Sequence, residues 1–393
     1  MSSDPVVIVG LARTPMAAFQ GEFSGVSAPE LGAAAIGGAL SESGIDAGDV
    51  EQIFMGCVLP AGQGQAPARQ AALKAGLSLN CESTTINKMC GSAMQAAIMA
   101  HDAIKAGSAN IIVAGGMENM TDAPYVLPKA RGGYRMGNGQ IIDTMMHDGL
   151  TDAYAGGPMG NFADMIAEEY QFTREAQDAY AIESVARARR AVESGDFERE
   201  ITPVTVKTRK GDVVVKLDAG PKNARPEKIP NLRAVFSKDG TVTAANASSI
   251  NDGAAALVLM KKSEAKKRGL KILAEIKAHA AHAHEPAYFT TAPVHAMNKC
   301  LDKAGWNKDE VDLWEINEAF AVVPMIAMRD MDLDHAKVNV NGGACVLGHP
   351  IGASGARIMA TLIAAMEKRG ATKGIASLCI GGGEATAIAL ERV

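Results

Sequence analysis

Short runs of β-branched apolar residues alternate along the chain with longer Ala-rich stretches whose apolar positions recur at helical spacing. Val6–Val9 is followed by Ala28–Ser43, Thr84–Ile86 by Ser92–Ala106, and Ile111–Ala114 runs into Gly115-Gly116. This rhythm predicts an α/β fold with a largely buried sheet. The last third repeats it: a helix over Ser354–Lys368, Gly370 as its stop, a strand over Ile375–Ile380, then a glycine run and Glu384. Gly107, Ile111–Ala114 and Gly115-Gly116-Met117-Glu118 follow the earlier helix in the same order, so an internal duplication is expected. Between about residues 121 and 247 the chain turns charged and loop-rich around one amphipathic helix, Thr173–Ser194, closed by Gly195. That region predicts an insertion laid over the two halves, of the kind that builds binding surfaces on a rigid scaffold.

With 393 residues and 47% hydrophobic content, the chain is long enough for two or three packed domains. Its 41 glycines and 4% aromatics describe an interior of small side chains and close backbone approach. A net charge of −5 supplies no basic field, which excludes a nucleic-acid partner from the expectations. The six cysteines, Cys57, Cys81, Cys90, Cys300, Cys345 and Cys379, are scattered without a CxxC pair and read as reduced thiols. No apolar stretch reaches membrane-spanning length, and Val6–Val9 lies too near the first residue to leave room for a presequence. A cytoplasmic protein is expected; a matrix protein with a trimmed presequence would look the same.

Four residues could carry chemistry. Cys90 lies between Thr84–Ile86 and the helix opening at Ser92, where partial positive charge favours a nucleophilic thiolate; the other reading is a buried free cysteine. His349 sits among Gly342, Gly343, Gly348 and Gly352 just before a helix, placed either to shuttle protons or to serve the structure. Cys379 closes the last strand before Gly381-Gly382-Gly383, whose amides suit a developing oxyanion, and otherwise packs a strand core. Asn317, polar in an apolar setting, otherwise caps a helix.

Two patterns are set aside. His282 and His284 share one face of a probable strand and His279 points to the other, with no cysteine or aspartate to complete a ligand set, so no metal site is expected. Gly62-Gln63-Gly64 lacks the third glycine of a dinucleotide fingerprint.

Taken in order, Asn87-Lys88-Met89-Cys90-Gly91-Ser92, Gly115-Gly116-Met117-Glu118, Asn246-Ala247-Ser248, Asn251-Asp252-Gly253-Ala254-Ala255, Asn317-Glu318-Ala319-Phe320, Gly348-His349-Pro350 and Cys379-Ile380-Gly381-Gly382-Gly383 resemble the thiolase family over nearly the whole chain. The stretch His147–Tyr154 further resembles biosynthetic acetoacetyl-CoA thiolases. The resemblance implies a thiolase fold, two similar βαβαβαββ halves in a layered αβαβα arrangement with an inserted loop domain. Residues 1–120, continued by 250–270, would form the first half, residues 271–393 the second, and residues 121–249 the CoA-binding insertion. It implies reversible Claisen condensation of two acetyl-CoA through an acetyl-Cys90 intermediate, the activity of an acetyl-CoA C-acetyltransferase. His349 would take the proton of Cys90, and Cys379 would move the proton at the α-carbon. His349 and Asn317, the latter through a water, would form one oxyanion hole; the amides of Cys90 and Gly381 would form the other. Ser248 and Ala247 would contact the pantetheine arm, and Leu150, Met159, Ala319 and Phe320 would line its tunnel. The resemblance implies acyl-CoA substrates, no further cofactor, no metal, and a homodimer or homotetramer.

The sequence departs from that pattern at Pro158, where thiolases commonly carry His; at Glu384, usually Met in the biosynthetic type; at Cys345-Val346; and at Pro221, near a tyrosine of potassium-activated mitochondrial thiolases. Acyl range and the potassium site are therefore open. A degradative 3-ketoacyl-CoA thiolase of wider chain length is the nearest alternative. A non-catalytic thiolase-like carrier of acyl-CoA or lipid need not keep both cysteines, the histidine and the asparagine, and a decarboxylating ketoacyl synthase would need a second histidine in place of Cys379.

Overall fold

A computed structural model describes residues 4–393. The nine principal strands are β1 (Val6–Arg13), β2 (Gln52–Gly56), β3 (Glu82–Ile86), β4 (Ile111–Asn119), β5 (Asn251–Lys261), β6 (Ala274–Ala283), β7 (Leu313–Ile316), β8 (Lys373–Ile380) and β9 (Glu384–Glu391). They run side by side as β3-β2-β4-β5-β1-β6-β9-β8-β7, and the short Ala17–Ala18 strand adds to β5. Within the first five, β3, β2 and β4 are parallel while β5 is antiparallel to both β4 and β1. The second set matches it: β7 and β8 are parallel, and β9 is antiparallel to β8 and β6. A single parallel bridge, Trp314 to Val338, stands beside β7 where β3 stands beside β2. The two halves thus share one strand order and meet through a short antiparallel pairing, Val7 with Glu275 and Ile8 with Ala274.

Among the described residues the helices of eight residues or more are α1 (Ala28–Ser43), α2 (Pro67–Lys74), α3 (Ser92–Ala106), α4 (Met159–Glu169), α5 (Arg174–Glu193), α6 (Ala292–Ala304), α7 (Val322–Asp330) and α8 (Ser354–Arg369), of which α4 and α5 belong to the 121–249 region. Because successive strand residues face opposite ways, Val7 and Val9 of β1 join the core under α1 and α2, while Val6, Ile8 and Leu11 join the core of α3 and α8. A third core packs α6 and α7 against the other face of the second half. The layers are therefore helix, sheet, helix, sheet, helix. α8 lies in the middle one, and its residues from Ser354 to Met366 are all buried, as a helix covered on every side requires.

Several strands run further than the β-branched pattern predicted. β4 continues from Ala114 through Gly115, Gly116, Met117 and Glu118. The glycines serve approach here: a Cβ at Gly115 would sit 2.1 Å from Ala255 O, and one at Gly116 2.0 Å from Gly352 O. Gly10 likewise lies inside β1 at a register shift, with the place of its Cβ 2.3 Å from Ala39 O of α1.

The 121–249 stretch leaves the sheet after β4 and returns at β5. Arg13, fully buried in β1, ties it down through Glu200 (Nε–Oε1 2.5 Å) and Asp218 (Nη1–Oδ1 2.7 Å, Nη2–Oδ2 2.9 Å). Paired on both sides, this buried cation is satisfied in a way that no hydrophobic docking alone would specify. Among the described residues no helix is long and apolar enough to cross a membrane.

Candidate active site

Cys90 sits in the tight turn between β3 and α3. Met89 adopts a left-handed φ of 46°, unusual for a side chain of its size. Ser92 at the helix start fixes that turn, its hydroxyl donating to Met89 O (2.6 Å) and accepting from Lys88 N–H (2.8 Å). Gly91 packs closely next, since a Cβ there would lie 2.3 Å from Ile380 Cδ1, on the strand that carries Cys379, and would make that side chain shift.

His349 occupies the matching place in the second half, in the loop just before α8. Gly348 precedes it at φ 99°, pressed so closely on Asn251 that a Cβ would meet its side chain at 2.2 Å; Asn251 Oδ1 then accepts the His349 N–H at 3.2 Å. Ser354 Oγ donates to Pro350 O (2.9 Å), so at 2.5 Å from His349 Nδ1 it must accept the ring proton. Nε2 consequently holds the lone pair. Asn317 Nδ2 approaches that nitrogen at 3.4 Å, and Arg357 Nη2, which can only donate, fixes Asn317 Oδ1 at 3.3 Å. Arg357 is itself held by Glu315 at 3.1 Å, both side chains buried.

Cys379 is the penultimate residue of β8, buried, close enough that a charge on Cys90 raises its pKa further after burial has done so. The backbone amides of Gly381, in the turn beyond it, and of Cys90 itself act to lower the Cys90 pKa. They do not make it a resting thiolate: burial dominates and pushes the Cys90 pKa up to about 11. The local amides at the start of α3 act in the direction the sequence position suggested, but burial outweighs them. Burial, with Arg357 adding to it, pushes His349 down to about 3, so a neutral thiol faces a neutral imidazole.

Cys90, His349 and Gly381 open onto one cavity of about 1060 Å³. All six residues expected around the pantetheine arm line it: Ser248, Ala247, Leu150, Met159, Ala319 and Phe320. Ser248 N–H donates to Ala319 O (2.9 Å), which joins the two wall segments. The His147–Tyr154 stretch forms another wall, beginning in a π-helical turn, Met145–Leu150. Asn317 and Cys379 are not on the wall; each is buried behind it.

The thiolase N-terminal domain model matches residues 6–263 and the thiolase C-terminal domain model residues 270–392. The chain belongs to the thiolase family. Among curated thiolase relatives, an acetyl-CoA acetyltransferase of Pseudomonas aeruginosa is 49% identical over 389 residues, 98% of this chain and 99% of its own. One from Schizosaccharomyces pombe is 47% identical over the full length of both. The solved acetyl-CoA acetyltransferase of Syntrophomonas wolfei superposes with a TM-score of 0.96 at 41% identity, covering 99% of this chain and 100% of that one. The Acat5 thiolase from Ascaris suum, solved in complex with coenzyme A, gives a TM-score of 0.94 at 41% identity over the same shares.

Within this thiolase frame the sequence reading missed the residues that hold the site. Glu118 accepts from the amides of Val58 (2.9 Å), Leu59 (3.1 Å) and Gly352 (2.8 Å), pinning the loop after His349 to the loop after β2; burial raises its pKa to about 7. Ser354, Arg357 and Glu315 orient His349 and Asn317. One signal was available: Arg357 interrupts an otherwise apolar Ala-rich helix. Glu384, a departure from the family pattern, forms an ion pair with Lys88 and so links the glycine turn to the nucleophile turn.

Proposed function

We propose that the chain is an acetyl-CoA C-acetyltransferase that reversibly condenses two acetyl-CoA into acetoacetyl-CoA and CoA through an acetyl thioester on Cys90. The observation that carries this reading is that Cys90, His349 and Gly381 share one cavity with Ser248, Ala247, Leu150, Met159, Ala319 and Phe320. In the first half-reaction His349 Nε2, the nitrogen with the lone pair, takes the Cys90 proton as sulfur attacks the thioester carbonyl. CoA departs as its thiol with the proton of Cys379, which is left as the thiolate. In the second, that thiolate removes an α-proton from the next acetyl-CoA, the carbon nucleophile attacks the acetyl-Cys90 carbonyl, and the Cys90 C–S bond breaks as the sulfur leaves and regains its proton from His349. The burial that raises the Cys379 pKa makes its thiolate, once formed, a strong base, as a weakly acidic α-carbon demands.

The two steps develop negative charge on two different oxygens. The Cys90 and Gly381 amides serve the oxygen of the acyl group on Cys90, and His349 with Asn317 serves the enolate oxygen of the incoming thioester. Each donor contributes on the order of 10²–10³ in rate. This allocation needs no metal and no cofactor beyond the CoA thioesters themselves. The 121–249 region, with Ser248 and Ala247 at its edge, is the CoA-binding surface of the proposal, supported by the place of those two residues on the cavity wall. A cytoplasmic homodimer or homotetramer completes the reading.

Leu150, Met159 and Phe320 line the cavity; taken to surround the acyl group, they favour acetyl and acetoacetyl. Thiolysis rates of acetoacetyl-CoA and of an octanoyl-length 3-ketoacyl-CoA test the assignment: a clear preference for the former is expected, and equal efficiency transfers the chain to the degradative type.

A further inference from the structure

Strand β6 carries His279 and His282, with His284 just beyond its end, and the fold supplies neighbours that spacing alone did not reveal. His279 faces α3, where Nε2 lies 3.0 Å from Asp102 Oδ1. His282 and His284 face α6, from which His295 projects. One ligand nitrogen from each of His282, His284 and His295 lies within 4.8 Å of the other two. The rings are packed, with centroids 4.4 Å apart for His282 and His295, 4.9 Å for His282 and His284, and 5.7 Å for His284 and His295.

Two hydrogen bonds fix which nitrogens are available. His284 Nε2–H donates to Tyr288 O at 2.8 Å, leaving the lone pair on Nδ1; a ring held by a backbone carbonyl in this way is the usual support of a metal-bound histidine. His282 Nδ1 carries its lone pair toward Lys299 Nζ, 3.0 Å away. Lys299 is exposed and free to swing off, so it acts as a built-in competitor for the same nitrogen.

We infer that His282, His284 and His295 form a binding site for one divalent transition metal of borderline softness, the Ni²⁺ and Zn²⁺ class, with water in the remaining positions. Three imidazoles without thiolate or carboxylate suit that class over Mg²⁺ or Ca²⁺. The site is separate from the acyl-transfer chemistry, yet it adjoins the glycine turn, since His284 N–H donates to Gly383 O at 2.9 Å. A metal there would tie the end of β6 to α6 beside that turn.

Equilibrium dialysis of the untagged full chain against NiCl₂ at pH 7.5, with Cys90 first blocked by iodoacetamide to remove thiol competition, tests the site. One Ni²⁺ per chain is expected, with affinity at least about tenfold weaker in His295→Gln and unchanged in His279→Gln, which alters only the opposite face. Lys299→Ala should bind more tightly. Absence of binding at millimolar Ni²⁺, or equal affinity in wild type and His295→Gln, would overturn the inference. A Lys299→Ala protein that binds no more tightly would contradict ligation through His282 Nδ1.

Discussion

Ser354 Oγ lies 2.5 Å from His349 Nδ1 and donates its own proton to Pro350 O, so one hydroxyl decides which nitrogen of the His349 imidazole carries the lone pair. Ser354→Ala removes the acceptor and frees the ring to take the other tautomer or another orientation. Turnover should fall roughly 10–100-fold, with a stability loss of only about 1 kcal/mol. Ser354→Thr should recover most of the rate. Undiminished turnover in a folded Ser354→Ala enzyme would show that the tautomer is set elsewhere.

Arg357 and Glu315 form a buried pair whose visible task is to aim the Asn317 amide. Replacing Arg357 by Met strands Glu315 in the core. Chemical denaturation should reveal a loss of about 3–5 kcal/mol, while the double variant with Glu315→Leu should regain much of that stability and still turn over slowly. A single variant as stable as wild type would rule out the pair as a stability determinant.

The neutral thiol and imidazole predict a distinctive pH response. Because burial holds the Cys90 pKa near 11, the reactive thiolate fraction falls about tenfold per pH unit below it. Alkylation of Cys90 by iodoacetamide, followed by peptide mass spectrometry, should therefore climb steadily from pH 6 to 9. A rate plateau around neutrality would instead reveal a preformed thiolate–imidazolium pair.

Much of this architecture was legible in the chain. The Ala-rich periodicity placed α1 and α3 at Ala28–Ser43 and Ser92–Ala106, where the structure has them. It stopped β4 at Gly115-Gly116 because a glycine pair signals a break locally, whereas here the close approach of Ala255 and Gly352 makes glycine obligatory inside the strand. Cys90, His349 and Gly381 were visible through their local settings, and the cavity does bring them together. The roles of Glu118 and Arg357 were not, since their partners lie far away in sequence; Ser354 lies within five residues of His349, but only the folded loop brings its hydroxyl to Nδ1. His295 escaped notice for the same reason: only the packing of α6 on β6 carries it to His282 and His284.

Pro221 bears on ion dependence. It is buried, its carbonyl accepts from Arg189 Nε at 3.1 Å, and it has no phenolic oxygen to offer a potassium ion. Condensation rates in potassium and sodium chloride at equal ionic strength should agree. A several-fold gain specific to potassium would mean that other oxygens of the inserted region build the site.

The division of labour between the two cysteines is the centre of the account, and intact-mass detection of the acetyl adduct, read beside acetoacetyl-CoA formation, tests it most directly. After mixing with acetyl-CoA, wild type should carry one acetyl group on Cys90, and Cys90→Ala should carry none and form no product. Cys379→Ala keeps the nucleophile and His349, so it should still be acetylated, while condensation falls by roughly 10²–10⁴ for want of the α-carbon base. A Cys379→Ala enzyme that condenses at near wild-type rate, or one that folds yet cannot be acetylated, would contradict the assignment.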